Sequence, residues 1–113
     1  MLNNKITFYV PSTVAGNQAI SNDDLNTRTR EIASIFSDMF GGFSIVDSVG
    51  GWNSSEHGLI LENVKQVYSY ASNEQIKEHK KAVIALANSK RVEWQQEAIS
   101  VEIVRTQGGL SFV

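Results

Sequence analysis

The chain has no cysteine, a single proline, no long apolar run and no excess of basic charge, and each absence removes a class of protein. Without thiols there is no disulfide framework, no thiolate metal site and no cysteine nucleophile. A net charge of −2 argues against non-specific binding to nucleic acid, which draws on a basic surface to release counterions. No stretch approaches the roughly 18 apolar residues of a membrane-spanning helix. The first residues, Met1-Leu2-Asn3-Asn4-Lys5, lack the apolar core of a secretory signal. A soluble cytoplasmic protein is expected, with neither membrane nor nucleic acid as a partner.

What is present is an ordinary globular mixture. The 113 residues are 42% hydrophobic and 19% charged, enough to bury one core without staples. Residues 1–113 are therefore read as a single domain.

Lys5 to Val10 alternates, with Ile6, Phe8 and Val10 on one face, and Pro11 stops this first strand. A polar loop follows. Ser21 and Asp24 form the S-x-x-D signature of a helix start. Leu25, Ile32, Phe36 and Met39 then recur at helical spacing. Gly41-Gly42 ends that helix. Phe43 to Val49 and Leu59 to Ala71 read as strands, joined by a hairpin containing Gly50-Gly51. The second of these strands changes parity, so a bulge is expected near Glu62 or Asn63. Ser72 and Gln75 open a second helix, whose buried side carries Ile76, Val83, Leu86, Ala87 and Trp94, with Lys90 among the basic residues placed elsewhere. Glu97 to Val104 is a strand, and Gln107-Gly108-Gly109 is read as a turn into a short terminal strand, Leu110 to Val113.

The order β-α-β-β-α-β is the split βαβ pattern, so the expected fold is a ferredoxin-like α+β sandwich with an extra C-terminal strand. Both helices fall on one sheet face. The other should carry Thr7, Tyr9, Ser44, Val46, Ser100 and Glu102.

Four of the eight glycines lie between Phe40 and Trp52, which raises the question of a phosphate loop. The order is wrong for one: a dinucleotide fingerprint runs from strand to helix, whereas Gly41-Gly42 runs from helix to strand. These glycines read as turns or close packing. His57 and His79 have no second ligand at helical spacing, so no metal is expected. No cofactor is implied. An RNP1 pattern is absent from Leu61-Glu62-Asn63-Val64-Lys65-Gln66-Val67-Tyr68.

General acid–base chemistry needs a carboxylate in a shifting environment. Glu62 interrupts an apolar run and Glu102 sits between Val101 and Ile103, so these two are the candidate proton acceptors, with Tyr9 or Tyr68 as hydrogen-bond donor. The bland reading, two polar residues on a half-solvated face, is preferred. Candidate ligand-binding residues are Tyr9, Ser12, Thr13 and Trp52, together with Glu62, Tyr68 and Glu102. Ser12-Thr13 lacks a nucleophile signature such as G-x-S-x-G.

The fragments Tyr9-Val10-Pro11-Ser12-Thr13, Phe40-Gly41-Gly42, Gly50-Gly51-Trp52, Gly58 with Glu62, and Gln96-Glu97-Ala98-Ile99-Ser100-Val101-Glu102 together resemble a group of small uncharacterised bacterial and mobile-element proteins. The resemblance implies a compact α+β domain and no particular activity. The leading expectation is a non-enzymatic small-molecule or protein-binding module, paired as a homodimer through its uncovered sheet face. The rivals are a small enzyme using Glu62 or Glu102 as base, and a phage-encoded inhibitor of a host defence system.

Overall fold

In the computed structural model, which describes residues 1–110, the chain runs β1 (Leu2–Pro11), β2 (Thr13–Val14), a 3-10 turn (Ala15–Asn17), β3 (Gln18–Ala19), α1 (Asn22–Phe40), β4 (Ser44–Ser54), β5 (Gly58–Ala71), α2 (Asn73–Glu93) and β6 (Val101–Leu110). The main sheet is antiparallel in the order β4-β5-β1-β6, and β2 with β3 forms a separate two-stranded hairpin. Two helices packed on one face of this sheet give the expected ferredoxin-like α+β fold.

The helices start where their caps dictate. The Ser21 hydroxyl accepts from the Asp24 amide, and Ser72 with Gln75 closes a reciprocal capping box. Gly41 ends α1 in the left-handed conformation at φ 86°, which a Cβ would disfavour. Ile6, Phe8 and Val10 of β1 meet Leu25, Ile32 and Phe36 of α1, Val67 of β5 and Val83 of α2 in one core. Phe8 is its centre, edge-on to Phe36 and to Trp94, the geometry in which aromatic edges meet negative ring faces.

Several expectations are corrected by the pairing. The β5 register is unbroken against both neighbours, from Asn4↔Ala71 to Pro11↔Val64 and from Ser44↔Tyr68 to Ser54↔Gly58. No bulge interrupts it at Glu62 or Asn63. The apparent parity change arises because Leu59 and Leu61 lie on the helix-side face beyond the reach of any helix. Gly50 and Gly51 lie inside β4, opposite Glu62 and Leu61. The hairpin instead turns at 55–57, where the Ser54 hydroxyl accepts from the Glu56 and His57 amides and Gly58 takes φ 70°. The segment 107–109 does not turn the chain. Leu110 pairs with Leu2, where unbroken register from Asn4↔Arg105 would place Gln107, so β6 continues past an irregularity. The remaining residues of the expected terminal strand, 111–113, lie outside the described residues. Lys90 is on the buried side of α2, not on its solvated side.

Because β1 stops at Pro11, β4 and β5 continue beyond it as a two-stranded arm. The molecule is accordingly elongated, 47 Å against 25 and 23 Å.

Candidate active site

The end of β1 also opens a gap. Up to Pro11, β1 fills the space between β5 and β6. Past it, the arm and the segment leading into β6 are no longer bridged, and a shallow cleft of about 650 Å³ lies between them. Tyr9 and Pro11 form its floor, Glu62 and Val64 one wall, and Gln96, Ser100 and Glu102 the other. Strand parity explains the lining. Tyr9, Glu62, Val64 and Glu102 all point away from the helices, since Thr7 opposes both Tyr68 and Glu102 and Pro11 opposes Val64.

The Tyr9 hydroxyl donates to Glu102 Oε1 at 3.2 Å. Partial burial, then this bond and the negative charge of Glu102, raise the Tyr9 pKa above its ordinary 10.0. Tyr9 is thus a neutral hydrogen-bond donor held on a carboxylate. Glu62 is half-buried on the facing wall and has neither a hydrogen-bond partner nor a paired cation among the described residues. Among the described residues no basic side chain lines the cleft. Two carboxylates and a phenol without a counter-cation make a site suited to a positively charged ligand.

A second, adjoining hollow of about 480 Å³ is lined by Thr13, the 15–17 turn, Trp52 and the segment 95–98, and shares Gln96 and Ala98 with the cleft. Trp52, about half exposed on β4, supplies a large aromatic surface beside it. The remaining candidates lie elsewhere. Tyr68 lines a separate pocket of about 350 Å³ with Phe40, Phe43 and Tyr70, and Lys5 Nζ stands 4.2 Å above its ring. Ser12 is buried, and its carbonyl accepts from the Ile20 amide to close the small hairpin. Thr13 is buried too, and contributes chiefly its carbonyl. The structure therefore gathers Tyr9, Glu62 and Glu102 in one cleft, sets Trp52 and Thr13 beside it, and leaves Tyr68 and Ser12 apart. Among the described residues no group of three or more His, Asp and Glu could hold a metal ion, and no helix is long and apolar enough to cross a membrane.

Sequence reasoning missed Gln96 and two buried cations behind the cleft. Gln96 Nε2 donates to the carbonyls of Thr13 (2.7 Å) and Trp94 (2.9 Å). Arg28 Nη1 donates to those of Pro11 (2.8 Å) and Thr13 (3.0 Å), with its guanidinium 4.9 Å from the Trp94 ring centre. Lys90 Nζ donates to Glu31 (2.7 Å) and Glu93 (2.6 Å). Burial alone would lower the Lys90 pKa, and the two carboxylates outweigh it, so the net shift is upward. A signal existed: Arg28 follows Leu25 by three, and Lys90 follows Val83 by seven and precedes Trp94 by four, so both charges interrupt an apolar stripe.

The fold class, a ferredoxin-like α+β sandwich, is shared with two solved structures. One is a phage SAM lyase in complex with S-methyl-5′-thioadenosine, 22% identical, with 92% of this chain and 81% of that chain covered and a TM-score of 0.61. The other is a phage SAM lyase in its apo state, 21% identical, with 91% and 80% covered and a TM-score of 0.62. No family model and no curated protein sequence matches the chain.

Proposed function

We propose that the protein is a phage-type lyase that binds S-adenosylmethionine in the cleft of Tyr9, Glu62 and Glu102 and releases S-methyl-5′-thioadenosine. The observation that carries this reading is the cleft itself: it holds two carboxylates and a tyrosine and, among the described residues, is lined by no basic side chain. S-Adenosylmethionine carries two cationic centres, the sulfonium and the α-ammonium. Both suit such a site. Trp52 in the adjoining hollow is the surface on which an adenine could stack. The likeness in fold to phage SAM lyases supports this class of chemistry.

On this reading the bond between sulfur and the γ-carbon breaks, and its electron pair stays on sulfur, so the thioether leaves neutral. Glu102 already accepts the Tyr9 hydrogen, which leaves Glu62 free to receive a proton or hold the ammonium. The four-carbon product decides between these. An unsaturated amino acid means that Glu62 took a β-proton. A lactone means that the substrate's own carboxylate displaced sulfur.

Glu62→Gln is expected to keep the fold and lower turnover of S-adenosylmethionine by about 10²-fold or more, read by chromatography of S-methyl-5′-thioadenosine. Wild-type protein that binds the nucleoside without forming it from S-adenosylmethionine would return the molecule to the class of binding modules. Neither binding nor turnover would favour the surface-acting inhibitor, which needs no cleft. Val46, Trp52 and Val104 leave apolar surface exposed on the same sheet face, and a second copy meeting it there would make the homodimer. Light scattering coupled to size exclusion tests that pairing, and a monomer at working concentration rejects it.

A further inference from the structure

We propose that Arg28, on the opposite side of the sheet from the cleft, is a positioning residue that sets the distance between the cleft's floor and its Gln96 wall; this rests on the function proposed above. The wall leading into β6 is irregular backbone from residue 95 to 100, so no sheet ladder fixes it there. Gln95 within it takes φ 54°, a left-handed conformation uncommon for a residue with a Cβ. Its course is set by a few bonds. The Gln95 and Gln96 amides donate to Val92 and Arg91, the Tyr9 amide donates to the Ser100 carbonyl, and the Gln96 side chain spans Thr13 and Trp94.

Arg28 joins these groups from below. One of its nitrogens holds the Pro11 and Thr13 carbonyls together, and its central carbon lies over the Trp94 ring. The Thr13 carbonyl thereby receives two donors, Arg28 from α1 and Gln96 from the wall. The start of β2, α1 and the approach to β6 meet at that one oxygen, and the same two side chains also hold the Pro11 and Trp94 carbonyls. Pro11 and Gln96, the residues on either side of the junction, both line the cleft. Trp94 is in turn edge-on to Phe8, which ties the junction to the core. A guanidinium can do this because one nitrogen carries two hydrogens, one for each carbonyl, while the rest of the group reaches over the Trp94 ring; a lysine at position 28 keeps the charge and donors but not that broad contact.

The test compares Arg28→Met, Arg28→Lys and the core control Ile32→Val, with rates normalised to the folded fraction. Arg28→Met is expected to lower kcat/KM for S-adenosylmethionine about 10- to 100-fold, as misplacement of reacting groups does. Arg28→Lys should recover part of that, and Ile32→Val should stay within about twofold, as an exchange that opens a small cavity without touching the junction. Hydrogen exchange gives an independent reading: the Tyr9, Gln95 and Gln96 amides should lose at least tenfold protection in Arg28→Met and none in Ile32→Val. Unchanged exchange at those amides, or an equal loss of turnover in Ile32→Val, overturns the positioning role. If wild-type protein cleaves no S-adenosylmethionine, the functional reading fails and the exchange data alone decide the role of Arg28.

Discussion

The helix-covered half of the sheet and its protruding arm are made from the same two strands, and they differ in what lies beneath them. Val67 of β5 is wholly buried against α1, whereas Leu61 and Leu59, six and eight residues earlier on the same face, are 63% and 66% exposed. Side-chain chemistry is alike; the support is not. β1 ends at Pro11 and no helix packs beneath the arm, so apolar residues there face solvent. Stability therefore resides in the base, and the arm is a ribbon that is marginal alone and available to shape one wall of the cleft.

That contrast can be broken at several depths. Phe8→Ala empties the centre of the base and should cost about 3–5 kcal/mol, seen as a shifted midpoint in chemical denaturation. A small loss would mean that the core is not where stability lies. Removing both partners of Lys90, by Glu31→Gln with Glu93→Gln, should cost about 1–3 kcal/mol by leaving a buried donor poorly paired. Lys90→Met should be far milder, because a well-packed apolar side chain replaces a charge. The pH dependence has a definite sign. The folded-state pKa of Lys90 is raised above its ordinary 10.5, and that of Tyr9 above 10.0. Their contributions are present below those values and are lost as pH climbs through the raised ones. Thermal melts should thus fall off above about pH 10, and less steeply in Lys90→Met. Ser72→Ala removes the α2 capping box and should cost about 1 kcal/mol. Smallest of all, Leu59→Ser or Leu61→Ser should stay within about 0.5 kcal/mol. A larger loss in dilute solution would mean that something covers the arm.

The base was also the part of the molecule most readable from sequence. Helix starts at Ser21 and Ser72 are local hydrogen-bond chemistry, and the stripes Leu25–Ile32–Phe36 and Val83–Ala87 follow the helical period, so caps and periodicity agree. The arm was misread because Gly50-Gly51 is a strong local turn signal, while the true turn rests on Ser54 and Gly58 and on a register fixed by long-range pairing. Pro11 marks the end of a strand in sequence and in structure alike, but the gap this creates in three dimensions leaves no trace in one. Glu62 and Glu102 could be singled out as charges among apolar neighbours. Their convergence with Tyr9 depends on strand order, which no local pattern encodes. The stripe of α1 marks Arg28 as a charge among apolar neighbours, but not what Arg28 and Gln96 hold: their partners are backbone carbonyls, and any residue supplies those.

The outer margin of β4 has a practical consequence. As the first strand in the sheet order it has, among the described residues, one side unpaired along eleven residues, with no proline or lysine and a single acid, Asp47. Natural proteins blunt such margins because they template lateral addition of further chains. Concentrated preparations should therefore build filaments or amorphous precipitate from this rim, and a lysine installed at Val49, where the side chain already meets water, is the remedy that turbidity measurements should register.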